Sequence, residues 1–461
     1  MKPTLKQSEV DILQGPIWNN ILKFALPVAA TGILGQMFNA ADIAVVGKFS
    51  GANGTAAVAA IGTNSPIVAL ILNFFIGISL GVTVIIANAV GHNGKKAARQ
   101  AVHTAILMAL AGGFAVALLG ELLAAPILHA LHVPDDVFPY ALLYLRIYLL
   151  GLPVMLLYNF EAAIFRSIGE TRVPLQALTV SGILNVLLNL FFVIVLQMTV
   201  NGVAIATVLS NLVSAALLFQ KLLKAESIIR VDLHDLRVHW SSLVRILKIG
   251  LPAGIQSAVF AIANIVIQSA INSLDTNVIA ASSAAYNLEL FAYYVLNSFS
   301  QACTTFVGQN YGAGNMARCK KTLQLCLLED AIASVTAILL VLVSGKFLLS
   351  FFSNDPDVIA IAYTRLLIIF AAYTFSMLYE VMSGYLRGFG ISLIPAVIAI
   401  TGICVVRIIW IHTVFPLHRT FQTIMLAYPV SLSITAFLMF IALIIYRPSR
   451  RFAADNPDSR R

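Results

Sequence analysis

The sequence predicts an all-α polytopic membrane protein whose twelve transmembrane helices form two six-helix bundles related by a pseudo-twofold axis. Three observations lead to this fold class. Hydrophobic residues make up 59% of the 461 residues and charged residues only 11%, whereas a soluble domain carries about 25% charged residues. Apolar runs of the roughly 20 residues needed to cross a bilayer recur along the chain. The second half of the chain repeats the motifs of the first half in the same order.

Twelve apolar segments are long enough to cross a membrane. Helix is the conformation expected for all of them, because an open sheet cannot satisfy its backbone polar groups in lipid. The alternating segments of roughly ten residues that are typical of a membrane barrel are also missing from the sequence. The predicted spans lie at about 17–46, 55–81, 98–123, 138–160, 173–197, 202–223, 242–271, 278–302, 321–346, 358–384, 392–415 and 420–446.

The basic residues predict the orientation of the helices. If the N-terminus lies in the cytoplasm, nearly all lysines and arginines outside the spans fall on the cytoplasmic side, including Arg166 and Arg387. Only Lys48, Lys346 and Arg419 then fall outside. Because cytoplasmic loops of membrane proteins are enriched in Lys and Arg, we expect a multi-pass protein of the cytoplasmic (inner) membrane with both termini inside. The net charge of +9 then needs no nucleic-acid partner.

The internal repeat divides the chain into two lobes. Residues 166–169 (Arg-Ser-Ile-Gly) with Pro174 are echoed by residues 387–390 (Arg-Gly-Phe-Gly) with Pro395. Since six helices per repeat is an even number, both halves enter the membrane from the same side, and the pseudo-twofold axis runs along the membrane normal. The expected divisions are an N-terminal lobe at 1–224, a solvated cytoplasmic linker at 225–241, a C-terminal lobe at 242–446 and a cytoplasmic tail at 447–461.

A carboxylate in the first predicted helix is the leading candidate for a functional group. Asp42 is absent from the second repeat, where Ile267 stands in its place. A carboxylate in hydrocarbon is costly, so it should face a polar cavity, take up a proton or bind a cation. Asn185 and Asn189 share one helix face, and Thr207 follows in the next helix. These four residues form a candidate cation-coupling site for Na⁺ or H⁺. An interfacial Asp at a helix end, with asparagines that hydrogen-bond between helices, remains the structural alternative.

The second half offers candidates for a substrate cavity. Glu289 lies deep in an apolar run with Tyr293 nearby, and we expect it either to face a cationic substrate or to have a structural role. Glu380 is the carboxylate of another apolar run and has the alternative of pairing with Arg387 near the cytoplasmic end. Asn264 occupies the position that Asn39 has in the first repeat, and it completes the set of cavity candidates.

Other motifs point to helix geometry rather than to catalysis. Pro27 and Pro252 interrupt equivalent helices and are hinge candidates, because proline removes a backbone hydrogen bond and allows a kink. Residues 77–81 match the GxSxG pattern of hydrolases, but that motif requires a strand-to-helix turn, so close helix packing through GxxxG is favoured. No Walker A motif, zinc spacing or CxxC pair is present. We therefore expect no cofactor, and no metal other than Na⁺ at Asp42.

Short motifs recur in a fixed order along the chain, at 25–27, 39–42, 46–47, 166–174, 250–252, 306–314 and 386–388. In their joint order and spacing these stretches resemble the MATE (multidrug and toxic compound extrusion) transporters, in particular the bacterial branch with an Asp in its first helix. The resemblance covers nearly the whole chain.

The resemblance implies two six-helix bundles in a V and secondary efflux of small organic, often cationic compounds in exchange for Na⁺ or H⁺. It also implies that the site of this branch falls on Asp42, Asn185, Asn189 and Thr207. Asn189 is a departure, because similar members have Asp there, and it leaves the coupling ion open. A monomer is expected. The alternatives are a flippase for lipids or lipid-linked saccharides, with a basic cavity lined by Arg146, Arg365 or Arg407, and a membrane-integral enzyme.

Overall fold

The computed structural model describes residues 10–50, 54–225, 228–353 and 355–450, except the side chain of Thr55. Residues 1–9 of the predicted N-terminal lobe, 226–227 of the linker and 451–461 of the tail lie outside the described residues.

The described chain contains the twelve predicted membrane-crossing helices. Eleven of them are long and apolar enough to span a membrane. α8 differs because Ser, Asn, Thr and Gln side chains recur along its length. The last turn of α5, Phe191–Val195, and the middle of α11, Ile400–Val405, are π-helical. The helices are α1 Ile17–Phe49, α2 Gly54–Gly91, α3 Lys95–Ala130, α4 Phe138–Ser167, α5 Arg172–Val195, α6 Val200–Leu223, α7 Trp240–Asn272, α8 Thr276–Gly312, α9 Met316–Ser350, α10 Pro356–Gly388, α11 Leu393–Thr413 and α12 Phe421–Tyr446.

Each half of the chain builds its own hydrophobic core, as expected for two bundles. One cluster, from Ile267 to Met439, is formed only by the second half. Another cluster, from Val45 to Ala204, is formed only by the first half. A further cluster joins the halves beside α1, where the ring of Phe24 packs edge-on against Phe306 with centroids 5.9 Å apart.

Glycines allow α2 to approach α7 closely at the interface between the lobes. A Cβ atom added at Gly77 would overlap the backbone of Gly254, and one added at Gly81 would overlap the backbone of Ile246 and Gly250. Such small-residue faces let helix backbones come into contact. The prediction that residues 77–81 mediate helix packing is therefore confirmed, and the hinge candidate Pro252 lies within this crossing.

The lobes also meet on the side of the molecule where α1 begins and α12 ends, which we call the terminal face. Here a Cβ atom at Gly91 of α2 would overlap the carbonyl of Gln309 in α8, and one at Gly312 would overlap the carbonyl of Asn88. The amide of Gln309 donates a 2.8 Å hydrogen bond to the carbonyl of Ser167 at the end of α4. These contacts close the gap between the lobes at the terminal face.

Residues 10–15 precede α1 and lie across the same face. The guanidinium of Arg318, in the second lobe, donates hydrogen bonds of 2.9 Å to the carbonyls of Ile12 and Gly15. On the other side, Val10 and Ile12 contact the position of Gly169 in the first lobe. Because both lobes hold this segment, it ties them together while the terminal face is closed.

The linker between the lobes is packed against the first lobe, and the expectation of a solvated linker was wrong in this respect. Ile229 and Val231 are buried in the core of that lobe, which explains why the segment docks. Arg99 pairs with Asp232 at 2.7 Å. The backbone N–H of His234 and then the Arg99 guanidinium hold the pKa of the Asp232 carboxyl below its ordinary value.

Candidate functional site

The structure brings all four residues of the predicted coupling site together. Asn189 Nδ2 donates to Asp42 Oδ1 at 2.5 Å, and the hydroxyl of Thr207 lies 3.3 Å from Asp42 Oδ2. Asn189 Nδ2 also donates to Asn185 Oδ1 at 3.2 Å, and Asn185 Nδ2 lies 3.5 Å from Thr207 Oγ1. Asp42, Asn185 and Asn189 are buried. Three helices, α1, α5 and α6, therefore converge on one carboxylate.

The spacing of residues along α5 explains how α1 reaches this position. Gly182, Asn185 and Asn189 are three and four residues apart and share one face of the helix. A methyl group added at Gly182 would overlap the ring of Phe38 in α1. Phe38 lies one turn before Asp42, so the missing side chain at Gly182 lets α1 bring its carboxylate against the two amides.

One acceptor in the site has no partner among the described residues. Asn189 is fully buried, and its Oδ1 makes no hydrogen bond. The π-helical turn Phe191–Val195 begins two residues later, and such turns are frequent at functional sites. The phenols of Tyr144 and Tyr148 lie within electrostatic range of Asp42. A buried, unsatisfied oxygen is costly, so a species that supplies positive charge or a proton here would be stabilised.

The chemistry of this donor set suits a hard cation or a proton. Two carboxylate oxygens, two amide oxygens and one hydroxyl are available, and oxygen ligands are those that hard cations take. Rotation of the Asn189 amide would direct Oδ1 toward Asp42 without moving the backbone. The residues present therefore fit Na⁺ and also fit a protonated carboxyl group.

A second site is a cavity of about 350 Å³ between the lobes. Helices of both lobes contribute to it, from α1, α2, α4 and α5 on one side to α7, α8 and α10 on the other. Drug-sized ligands occupy cavities of roughly 300–1,000 Å³. None of the described residues around Asp42 lines it. Two of the four predicted cavity residues, Tyr293 and Glu380, do line it.

The other two predicted cavity residues are placed elsewhere. Asn264 is exposed on α7 and is not part of the lining of this cavity. Glu289 is buried in the second lobe, where Arg365 Nη2 donates to Glu289 Oε2 at 2.8 Å and the hydroxyl of Tyr373 donates to Oε1 at 3.0 Å. For this cavity, the hypothesis that Glu289 faces a cationic substrate is wrong, because its carboxylate is held by a guanidinium on the neighbouring helix.

The expected ion pair of Glu380 is also missing in the described part of the chain. Its Oε1 accepts a 2.8 Å hydrogen bond from the hydroxyl of Tyr379, and the structure has no ion pair between Glu380 and Arg387. The guanidinium of Arg387 instead donates to Gln256 Oε1 at 2.9 Å. Both side chains therefore line the cavity independently of each other.

Two cavity residues that the sequence reasoning missed are Arg166 and Arg387. They had been assigned to the cytoplasmic loops by the charge distribution. In the structure they lie in the last turns of α4 and α10. Helical side chains point toward the N-terminus of their helix, so these guanidinium groups extend back into the cavity. The repeat that aligns residues 166–169 with 387–390 was the signal that could have identified them as a pair.

The arginines proposed for a flippase cavity line no part of this one. Arg146 is half-exposed and pairs with Glu121 at 3.4 Å, and Arg365 belongs to the buried pair with Glu289. Arg407 donates to Ser431 Oγ and stacks on Tyr428, with its guanidinium carbon 4.0 Å from the ring centroid. Their roles in the structure are packing and ion pairing.

These features define a class: a multi-pass helical membrane transporter with two lobes, a central cavity and a separate buried carboxylate. Comparison with known proteins agrees. The MatE family model matches residues 27–191 and 252–411, one copy in each lobe. The chain belongs to the MatE family of transporters.

Relatives of the chain match over most of its length. The probable multidrug resistance protein NorM of Thermotoga maritima is 26% identical over 439 residues, covering 94% of this chain and 90% of that protein. The FAD transporter of Shewanella oneidensis is 27% identical over 371 residues, covering 78% and 80%. A solved outward-facing conformation of a multidrug resistance MATE family transporter of the MOP superfamily has a TM-score of 0.87 at 19% identity, covering 97% and 98%. The last likeness shows the fold.

Proposed function

We propose that this protein is a secondary active efflux transporter of the cell membrane that exports small organic compounds in exchange for Na⁺ or H⁺ bound at Asp42. The observation that carries the proposal is the convergence of Asn185, Asn189 and Thr207 on one buried carboxylate. Family membership supports transport. The unsatisfied Asn189 Oδ1 supports a site that gains or loses a positively charged species.

The proposed mechanism is alternating access between two arrangements of the lobes. The coupling ion neutralises the Asp42 carboxylate when it is bound. Asp42 accepts the positive charge, the two amides reorient around it, and Thr207 fixes one carboxylate oxygen. Occupancy drives transport only if the ion binds one arrangement of the lobes better than the other. Movement of α1 against α5 would carry this difference from Asp42 to the cavity that α1 also lines.

The orientation and organisation are part of the proposal. We place the terminal face in the cytoplasm, because the basic residues concentrate on that side of the predicted topology. Export then requires the cavity to open alternately toward this face and the opposite one. The lobes are taken as 1–224 and 242–446, Pro27 and Pro252 as hinges, and the protein as a monomer that catalyses no reaction.

The class of cargo does not follow from likeness alone. One relative is named as a multidrug resistance protein and another as an FAD transporter. A flippase for lipids or lipid-linked saccharides remains the second candidate, because a basic cavity was the feature expected of it and Arg166 and Arg387 supply that charge. Both candidates use the same cavity and the same coupling site.

The test is transport by purified protein in proteoliposomes, with Na⁺ and pH gradients imposed separately. Asp42→Asn keeps the size of the side chain and one acceptor oxygen, but it replaces the other oxygen with an NH2 donor and removes the charge. We expect this variant to fold and to lose efflux driven by either gradient. Asp275→Asn is the matched control, because Asp275 is exposed at the start of α8 and makes no side-chain cap. Full gradient-driven transport by Asp42→Asn would remove Asp42 from the mechanism.

A further inference from the structure

We infer that the central cavity binds an organic anion, a planar molecule with a carboxylate or phosphate group, and that Arg166 and Arg387 hold the negative group. This inference rests on the proposed transport function and specifies its cargo. It differs from the cationic compounds that the family resemblance implied. The observations behind it are the charges of the lining residues and the hydrogen bonds that each arginine makes.

Arg387 lines the cavity and has hydrogen-bond donors that the described residues do not use. The residue is 7% exposed. The structure gives its guanidinium one hydrogen bond, from Nη2 to Gln256 Oε1, and its Nε is buried with no partner among the described residues. A guanidinium has five N–H donors in a fixed plane. A buried donor left unsatisfied costs about 1–3 kcal/mol, and more in a charged group, so a ligand that accepts these bonds is favoured.

Arg166 faces the same cavity from the other lobe. Its Nη1 donates to Gln301 Oε1 of α8 at 2.8 Å, and its Nε donates to the carbonyl of Ala162 at 3.1 Å. Both acceptors are neutral. Within the described chain, no carboxylate lies within ion-pairing distance of either arginine, in contrast to Arg365, which pairs with Glu289 at 2.8 Å. The cavity therefore contains two positive charges that the protein does not pair.

The full set of charged lining residues leaves the cavity positive. Glu380 is the single acidic residue among the described residues that line it, against Arg166 and Arg387. Removing a charge from water is expensive unless it is paired. A cation entering the cavity would meet two guanidinium groups, whereas an anion would supply the missing partner. Arginine forms bidentate hydrogen bonds with carboxylate and phosphate groups in one plane, which defines the chemistry of the ligand head.

The remaining lining defines the body of the ligand. The rings of Phe260, Tyr293 and Tyr294 line the cavity, together with several amide side chains. Flat aromatic surfaces beside polar groups suit a planar ring system with hydrogen-bonding edges. The volume of about 350 Å³ admits one molecule of dye or cofactor-fragment size. A large or branched anion would not fit without movement of the lobes.

The experiment compares two xanthene dyes of similar shape and opposite charge, 5-carboxyfluorescein and rhodamine 6G. Binding to the full chain in nanodiscs of neutral phosphatidylcholine is measured by fluorescence anisotropy, without any ion gradient. We expect saturable binding of 5-carboxyfluorescein that is much tighter than that of rhodamine 6G. Preference for the cationic dye would overturn the inference, and so would equal affinity for the two dyes.

Arginine variants locate the site. Arg166→Met and Arg387→Met remove one charge each while keeping side-chain length, and each should weaken binding of 5-carboxyfluorescein about 10- to 100-fold. Arg146→Met is the matched control, because Arg146 lies on the same helix as Arg166 but is half-exposed and outside the cavity. Unchanged affinity in both cavity variants would overturn the inference. If either variant misfolds, the inference is tested with Arg→Lys at the same position and with the comparison of the two dyes on the wild type.

An anionic lipid headgroup carries the same chemistry and is separated by a further arm. Phosphatidylglycerol in the nanodisc should displace 5-carboxyfluorescein if a headgroup can enter the cavity, and should leave binding unchanged if the ligand enters from water; either result requires an anion site. Because these measurements use no gradient, they can succeed when Asp42→Asn abolishes coupled transport. They can also fail while ion-driven efflux of a cation persists, so failure of this inference and failure of the proposed function are distinguishable.

Discussion

At the scale of single residues, the pair of Arg365 and Glu289 shows how the second lobe accommodates charge. Both side chains are almost fully buried, at 3% and 7% exposure. Arg365 also donates to Ser282 Oγ at 2.7 Å, and Tyr373 satisfies the other oxygen of Glu289. In the first lobe, Arg146 pairs with Glu121 in a half-exposed position, and the buried carboxylate of Asp42 is contacted by the neutral side chains of Asn189 and Thr207. The charge of Glu289 is therefore neutralised within the protein, whereas the carboxylate of Asp42 has only neutral partners among the described residues.

Removing Arg365 should destabilise the protein strongly. Arg365→Met leaves the Glu289 carboxylate buried without its counter-charge, and breaking a buried pair in this way costs about 3–5 kcal/mol. Adding Glu289→Gln should recover much of that loss, because no unpaired charge then remains. Unfolding in detergent, followed by circular dichroism, measures the difference. Arg146→Met is the control, because half-exposed pairs contribute about 0–1 kcal/mol, and a similar loss in both variants would contradict the prediction.

The residues that could be predicted from the sequence differ physically from those that could not. Asp42, Asn185, Asn189 and Thr207 could be predicted, because a lone carboxylate in an apolar run requires polar partners on neighbouring helices. The partner of Glu289 could not, since periodicity does not say which helices are neighbours. The count of basic residues on each side of the membrane likewise contains no information on side-chain direction. It therefore placed Arg166 and Arg387 in loops, although their side chains line the cavity.

At the scale of elements, most of the helices are longer than the apolar runs that predicted them. α2 was expected at 55–81 and extends to Gly91, and α3 was expected at 98–123 but spans Lys95–Ala130. Hydropathy detects only the part of a helix that lies in hydrocarbon. The additional turns of α2 carry Asn88 and Gly91, and these turns make the contacts with α8 that close the terminal face.

The close approach of α2 and α8 can be tested by enlarging Gly91. Gly91→Leu inserts a side chain where even a Cβ atom overlaps the carbonyl of Gln309, so the closed terminal face should become disfavoured. Nitroxide labels at Lys96 and Lys320, exposed residues of the two lobes, should show a shift toward longer distances. Gly62→Leu is the control on the same helix, since a Cβ atom there meets no atom within 4 Å. An unchanged distance distribution in Gly91→Leu would contradict the prediction.

At the scale of the whole molecule, the two bundles were predictable because repeat, hydropathy and charge asymmetry all describe the same six-helix unit twice. The relation between the bundles was not predictable in the same way. The contacts that join them are made by glycine faces of α2, α7 and α8 and by residues 10–15. The linker, which was expected to be solvated, packs against the first bundle through two buried apolar side chains. Such contacts depend on the tertiary arrangement rather than on local sequence pattern.

The segment before α1 provides the last prediction. Arg318 donates to the carbonyls of Ile12 and Gly15 at 2.9 Å, while Val10 lies against Gly169 of the other lobe. If the lobes separate at the terminal face during transport, these contacts must break. Hydrogen bonds from a charged group contribute about 1.5–3 kcal/mol, enough to change the population of the closed arrangement roughly 10- to 100-fold.

Arg318→Met should therefore favour the arrangement that is open at the terminal face. Hydrogen–deuterium exchange should become faster in residues 10–16 and also at the end of α4 and the end of α8, because all three segments are protected from solvent when the terminal face is closed. Lys320→Met is the matched control. Lys320 is exposed on the same turn of α9 as Arg318, and its substitution removes an equal charge. Faster exchange confined to residues 10–16 would show that the segment only covers the face, and that the lobes remain joined through Gln309 and Ser167 without it.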